Sequence, residues 1–490
     1  MKILDRYPLF LFLLPAFILL HIEKDYGELL NYPATIKEIL IICIAPFVLY
    51  GLAWLLYRSA PKANLFAFIS VFLFYFLGDI KDALMKAFPH TFIQRYYFLI
   101  PAALLFIIVC GWLIKKTNKN YYRLFRFIHL ALFLFILVDA VGMITSSGKK
   151  EKSQAETLAG FVPCKDCPAP DIYYVILDEY TSSAYLQSGF GFDNSAIDSF
   201  LTGRGFQLIP HSKSNYNLTA FSMSSIFSLN YLTTIDTSDA YFLKKYLPGI
   251  KIMYESPLFS LMEKQGYRVY NQSIFHVAGH PSSIPLDDTW RTKMLYQQYN
   301  ILKKMDNEIG WQFPSWMKIR IGRDKANARD QHDYLAEQQL YAALREKSSQ
   351  PKFVYTHFRI PHDFPFLDSA GNRIPPAGFK SLGDMKKSYL QQVVNANKTI
   401  RRIVDSIQQL SSTPPVIIIQ GDHGFRSNDY SFKNEEFHNF NAFYFPDKSL
   451  PPLPDSLTSV NTFRVVFNRL FKANYPMLGD KHFFLKYKPL

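Results

Sequence analysis

Cysteine is scarce, four residues in a chain of 490. Cys43 and Cys110 fall inside apolar runs and read as packing residues. Cys164 and Cys167 form PCKDCP, but no second CxxC and no adjacent histidine accompany them, which argues against a structural zinc site. A local disulfide and two free thiols both remain open for that pair. The first apolar segment is followed by no small-residue cleavage site, so it reads as a membrane anchor and not as a removable signal. Internal repeats and low-complexity tracts are missing as well. Acidic residues are outnumbered, 40 against 54 Lys and Arg, for a net charge of +14. That surplus does not indicate nucleic acid, because the densest basic cluster, Lys115, Lys116, Lys119, Arg123 and Arg126, sits in a short loop between apolar segments beside Tyr121 and Tyr122. Anionic lipid is the simpler partner.

What the chain does have is apolar length. Pro8 to Ile22, Ile39 to Tyr57, Leu65 to Leu77, Tyr97 to Ile114 and Phe127 to Ile144 are nearly free of charge. A spanning helix needs roughly 20 apolar residues, so the second, fourth and fifth qualify outright, while the first and third need flanking residues. Five spans are expected, with four as the fallback. With a cytoplasmic start, the inside segments carry Lys2, Arg6, Arg58, Lys62 and the basic cluster against the single acid Asp5, and the outside loops mix both signs. This positive-inside bias places everything after Ile144 on the outer side. Asp139, near the outer end of the last segment, reads as an interfacial residue or a head-group contact.

After a polar stretch, TSSGKKEKSQAETLAG, read as a linker or membrane-surface segment, the pattern changes. DIYYVILDEY is a continuous apolar run that breaks into carboxylates, as suits a strand buried on both faces of a parallel sheet. Similar strands are expected at Tyr267 to Asn271, Lys352 to His357 and Val416 to Gln420, and a helix over KSYLQQVVNANKTIRRIVDSIQQL. Strands alternating with helices predict an α/β fold with a mainly parallel sheet. Ligands gather at the carboxyl ends of such strands. Here those ends carry Asp178 and Glu179, then His357 with His362 close behind, then Asp422 and His423, followed by Arg426. Mixed carboxylate and imidazole donors suit Zn²⁺ or Mn²⁺. A metal activates a hydroxyl, which directs attention to SNYNLTAFSMSSIFSLNYL, where Thr219 precedes a helix-like pattern and Ser222 is the next hydroxyl in line. Thr219 also completes the glycosylation sequon Asn217-Leu-Thr219, a pattern repeated at Asn271 and Asn397.

In that order, DIYYVILDEY, SNYNLTAFSMSSIFSLNYL, YTHFRIPHDFPF and VIIIQGDHGFRS resemble the alkaline phosphatase and sulfatase superfamily. Several membrane spans before an exported domain resemble, within it, lipoteichoic acid synthase and the phosphoethanolamine transferases. The resemblance implies Asp178, Thr219, Asp422 and His423 as metal ligands, with Thr219 as nucleophile. It implies His362 as the group that binds phosphate or protonates the leaving group, with His357, Glu179 and Arg426 as weaker substrate-side candidates. One divalent ion is implied, Mn²⁺ or Zn²⁺, with Mg²⁺ and Ca²⁺ as alternatives. The sulfatase signature, Cys or Ser followed by Pro and Arg, is missing around Thr219, and no complete second set of zinc ligands is found.

These readings combine into one expectation. Residues 1–145 form a membrane domain, 146–170 a linker and 171–490 a sulfatase-like catalytic domain. The protein is a multi-pass enzyme of the cytoplasmic (inner) membrane with its catalytic domain on the periplasmic or extracellular side. It transfers a phospho-head group, of phosphoglycerol or phosphoethanolamine type, from a phospholipid donor to a glycan or lipid acceptor. The alternative is a membrane-anchored phosphodiesterase or sulfuric ester hydrolase.

Overall fold

The apolar runs of the first 145 residues become helices α1 (Phe10–Tyr26), α2 (Tyr32–Tyr57), α3 (Ala60–Ala87), α4 (Tyr96–Lys116) and α5 (Tyr122–Ala159) in the computed structural model. The structure describes residues 9–27, 30, 32–88, 91–117, 121–159, 161–232, 240–284, 295–296, 300–302, 304–305, 331–362, 367–372, 382–426 and 434–488. Among the described residues four helices are long and apolar enough to cross a membrane: Ile36–Tyr57, Ala60–Ala87, Tyr96–Lys116 and Tyr122–Thr145. The expected fifth is α1, which has 17 residues and ends in His21, Glu23, Lys24 and Asp25, leaving too short an apolar stretch. The polar segment after Thr145 is not irregular, since α5 runs on to Ala159. Its Lys, Glu, Gln and Ala residues are good helix formers. Of the basic residues used to assign orientation, Lys2, Arg6 and Lys119 lie outside the described residues.

Two units make up the chain, residues 1–151 with 287–314, and residues 152–286 with 315–490. In the first, α1 packs Phe10, Leu14, Ile18 and Ile22 against Ile42, Val71 and Tyr75, and Tyr296 joins the same cluster. Ile301 packs with Leu77, Tyr96 and Leu99. Lys304 reaches Asp82 at 2.6 Å and the Gly78 carbonyl at 2.8 Å. A Cβ on Gly78 would lie 2.6 Å from Lys304 Cδ, so the missing side chain makes this approach possible. Asp139 on α5 binds Lys24 Nζ at 2.6 Å and His21 Nδ1 at 3.0 Å, which ties α1 to α5 through a buried carboxylate.

The second unit is built on a six-stranded sheet in the order β2-β7-β6-β1-β5-β4. The strands are β1 (Ile172–Leu177), β2 (Gln207–Leu208), β4 (Arg268–Gln272), β5 (Lys352–Phe358), β6 (Val416–Gly421) and β7 (Asn441–Tyr444), while β3 (Ala240–Tyr241) pairs with β8 (Tyr487–Lys488) in a separate two-stranded sheet. β1, β4, β5 and β6 are parallel, and β7 runs antiparallel to β6 and β2. Every residue of β1, β5 and β6 is buried, as their continuous apolar composition predicts. Alternation then divides their side chains between two faces. On one face Tyr173, Val175, Leu177, Val354, Phe358, Ile417 and Ile419 pack on the expected helix, Leu382–Leu410, through Val393, Ile400 and Val404. On the other Tyr174, Phe353 and Tyr355 meet Phe227, Phe259 and Phe463 at ring separations of 4.9–5.8 Å for Tyr174–Phe463, Phe227–Tyr355 and Tyr174–Tyr355. Phe227 belongs to helix Thr219–Ser228 and Phe463 to helix Thr462–Phe471, so helices cover both faces. Cys164 and Cys167 are joined in a disulfide, and Cys43 and Cys110 are free.

Candidate metal and hydroxyl site

Register brings the strand ends together. Ile176 pairs with His357 on one side and with Gln420 on the other, so Asp178 and Asp422, each two residues further on, stand level. By alternation Asp178, His357 and Asp422 share the face of Tyr174 and Tyr355, the face covered by helix Thr219–Ser228. Asp178, His357 and Asp422 each offer one ligand atom within 4.8 Å of the others, and all three are buried.

Two residues sequence reasoning paired with this site complete its floor. Thr219, first residue of its helix, places Oγ1 3.3 Å from Asp178 Oδ1 and 3.2 Å from His423 Nε2. His423 Nδ1 is 2.8 Å from the Gly424 carbonyl, an acceptor, so the ring proton belongs on Nδ1 and the Nε2 lone pair faces Thr219. Asp422 Oδ1 accepts the backbone N–H groups of Glu179 and His423, both at 2.9 Å. Its Oδ2 is left 3.3 Å from His423 Nε2. The close turn that achieves this depends on glycine: a Cβ on Gly421 would lie 2.2 Å from the Tyr180 carbonyl oxygen, and one on Gly424 2.7 Å from the carbonyls of Glu435 and His438.

His357 stands closer to the carboxylates than its weaker ranking from sequence suggested. Its Nε2 is 4.0 Å from Asp178 Oδ2, and the Tyr355 hydroxyl is 2.8 Å from Nδ1. The tautomer with its proton at Nδ1 turns a free lone pair toward Asp178. Among the described residues, the buried His357 Nε2 and Asp422 Oδ2 have no hydrogen-bond partner.

A second group lies alongside. Arg426 Nε donates to Glu179 Oε1 at 2.5 Å, and Arg426 Nη2 lies 2.8 Å from His362 Nε2. Glu179 adopts a left-handed backbone conformation, φ 65°, and its carbonyl accepts from the Tyr389 hydroxyl at 2.7 Å. Asp363 to Phe366, the remainder of the motif after His362, lie outside the described residues.

Electrostatics within the cluster are unbalanced. Burial, followed by the charge of Asp178, pushes the Asp422 carboxyl well above its ordinary value. Burial also raises Asp178, but His362, His357, His423 and Arg426 outweigh it and hold that carboxyl below the usual range. Burial lowers His357 to about 4 and His423 to about 3, so both rings are neutral at pH 7 with lone pairs available. Two carboxylates in one dry site, two neutral imidazoles and two unsatisfied donor atoms fit a divalent cation.

The other hydroxyls of the helix are engaged elsewhere. Ser222 donates to the Asp422 carbonyl at 2.6 Å, Ser224 to Ala220 and Gly249 carbonyls, and Ser225 to the Asn230 carbonyl at 3.0 Å. The sequons are structural: Asn217 is buried and bonds Glu436 and Leu485, Asn271 is buried and bonds the carbonyls of Phe275 and His280, and Asn397 bonds Asn194 and Tyr180.

A family model described as Sulfatase matches residues 178–456. No curated protein matches the chain. Among solved structures, the soluble domain of lipooligosaccharide phosphoethanolamine transferase A from Neisseria meningitidis is 12% identical, with 62% of this chain and 89% of that one covered and a TM-score of 0.36. The C-terminal periplasmic domain of EptC from Escherichia coli, in a complex with Zn, is 9% identical, with 66% and 92% covered and a TM-score of 0.39. A sulfatase from Bacteroides thetaiotaomicron is 14% identical, with 61% and 72% covered and a TM-score of 0.36. The family model begins at the first of the clustered carboxylates, runs past Asp422 and His423, and spans more than half of the chain, which makes this protein a member of the sulfatase family.

Proposed function

We propose that this sulfatase-family enzyme is a membrane-held transferase that moves a phospho-head group from a phospholipid to a hydroxyl acceptor, with Thr219 as the nucleophile. The reading is carried by one observation: Thr219 Oγ1 lies within hydrogen-bond distance of Asp178 and His423, beside two buried donor atoms without partners. Asp178, Asp422, His423 and Thr219 would hold a divalent ion, with His357 as a further donor of matching chemistry. A bound ion supplies Lewis acidity, which lowers the pKa of the hydroxyl and offsets charge on phosphoryl oxygens.

The chain's own residues then act in order. Asp178 and His423 orient the Thr219 hydroxyl, and Asp178, to which it donates, accepts its proton as Oγ1 attacks phosphorus. The phosphorus–oxygen bond to diacylglycerol breaks, the departing oxygen takes a proton from water, and His362 donates a hydrogen bond from Nδ1 to the phosphoryl group. With Arg426 donating to Nε2, the His362 proton resides on Nδ1. Arg426, oriented by Glu179, neutralises charge on the phosphoryl group. An acceptor hydroxyl, losing its proton to solvent, attacks phosphorus of the phospho-Thr219 intermediate, the phosphorus–Oγ1 bond breaks, and Asp178 returns its proton to Oγ1. The membrane helices keep the site near its lipid donor, which replaces a bulk encounter with a local one. The catalytic domain faces the outer side in this reading, as the basic residues of the short loops predict.

The test is lipid mass spectrometry on the purified full chain in detergent, with mixed phospholipids and Mn²⁺ or Zn²⁺. Diacylglycerol release and a head-group mass on Thr219 are expected, both lost in Thr219→Ala. Release that continues in Thr219→Ala removes the nucleophile assignment, and release that needs no acceptor beyond water makes the enzyme a hydrolase.

A further inference from the structure

Among the described residues, the end of β5 has no strand on one side. β4 stops at Gln272, paired with Thr356, while β1 continues to Leu177 opposite Phe358 and the Asp178 N–H bonds the Phe358 carbonyl at 3.0 Å. Successive residues of a strand turn their backbone groups to opposite sides, so the His357 carbonyl and the Arg359 N–H face the side where β4 is missing. Buried backbone groups need partners. Two consecutive side chains supply them. His332 Nε2 lies 2.9 Å from the His357 carbonyl, and the Asp333 carboxylate accepts the N–H of Arg359 at 2.7 Å and of Ile360 at 3.1 Å.

The helix that carries them, residues 331–345, is tied down along its length. Ala336, Leu340, Ala343 and Leu344 join the core with Val354 and Phe358. At its far end the Lys352 ammonium, at the start of β5, donates to the carbonyls of Ala343 and Glu346, both at 2.7 Å. The fifteen described helical residues rise about 22 Å and the seven strand residues about 23 Å, so this stretch of helix reaches from one end of β5 to the other. Both ends of β5 are therefore held by one helix running beside it.

We infer that His332 and Asp333 are positioning residues that stand in for the missing strand, fixing the His357 ring against Asp178 and the chain that carries His362. Its metal arm rests on the metal reading of the site; its exchange arm does not. The experiment is hydrogen–deuterium exchange mass spectrometry on the full chain in detergent, comparing wild type with His332→Ala, Asp333→Ala and the milder Asp333→Asn, which keeps one acceptor oxygen. Glu337→Ala, on the same helix and paired with Arg402 at the surface, is the control. Peptides over 355–362 should exchange about 10-fold faster in Asp333→Ala, with peptides over 172–177 and 416–421 unchanged and Glu337→Ala like wild type. Affinity for Mn²⁺ added alone should fall about 10- to 100-fold, the usual effect of losing a group that orients a ligand. Unchanged exchange over 355–362, or faster exchange spread evenly over β1 and β6, overturns the inference. A wild-type chain that binds no Mn²⁺ overturns the metal reading instead, and exchange still decides the positioning role.

Discussion

Ser222, Ser224 and Ser225 donate to backbone carbonyls, whereas the Thr219 hydroxyl faces the side chains of Asp178, His423 and Asp422. Ser222→Ala should therefore keep activity and lower stability by about 1 kcal/mol, read from denaturant unfolding, because the lost bond ends on the Asp422 carbonyl. Gly421→Ala should be far worse, about 3 kcal/mol or more, since its Cβ would meet the Tyr180 carbonyl oxygen at 2.2 Å. The buried histidines set a pH window. His357, at about 4, and His423, at about 3, lie below the ordinary value near 6.5, so the unfolded chain takes up protons first as pH falls. In metal-free protein each ring should cost up to about 1.4 kcal/mol per unit between about pH 6.5 and 4, opposed by the raised Asp422 carboxyl, and thermal melts of wild type against His357→Gln across pH isolate the ring's share. The strand-end carboxylates and imidazoles were visible in the sequence because each follows an apolar run. The nearness of His357 to Asp178 was not, because it depends on pairing register between strands far apart in the chain.

At the scale of elements, continuous apolar runs made β1, β5 and β6 readable, and a helical period did the same for Leu382–Leu410. Less legible was the work of the helix over 331–345, whose apolar spacing at Ala336, Leu340, Ala343 and Leu344 suits a helix but does not announce that His332 and Asp333 bond the end of a strand. The late segment read only as a closing helix acquires definite work: Arg464 on helix Thr462–Phe471 donates to the carbonyls of Leu229 and Pro476, and Asn461 bonds Leu478 in both directions. Helix α1, short on apolar residues, is joined to α5 by charge. Asp139→Ala should strip Lys24 and His21 of their shared carboxylate and destabilise the membrane helices by about 1–2 kcal/mol, measured as a shift in unfolding in mixed detergent and SDS.

For the whole molecule, the sequence suggested a membrane part followed by a catalytic part, in that order along the chain. The unit built on the membrane helices instead recruits residues 287–314 from between β4 and β5. The period of the apolar runs says nothing of this, because Tyr296, Ile301 and Lys304 sit in a charged and aromatic region without a repeating pattern. The outward orientation is tested by a C-terminal reporter active only outside the cytoplasm; a signal from a cytoplasm-only reporter would reverse the topology. Recruitment of 287–314 also imposes a schedule on biogenesis. At about 5–20 residues per second, the ribosome needs roughly seven to thirty seconds after α5 to reach Lys304. During that interval Asp82 and the Gly78 carbonyl await their ammonium partner while β1 and β4 are synthesised. The first unit to begin is thus unable to finish until the second is half made, and a nascent chain arrested before residue 287 should show α3 and α4 more open to protease than the completed protein does.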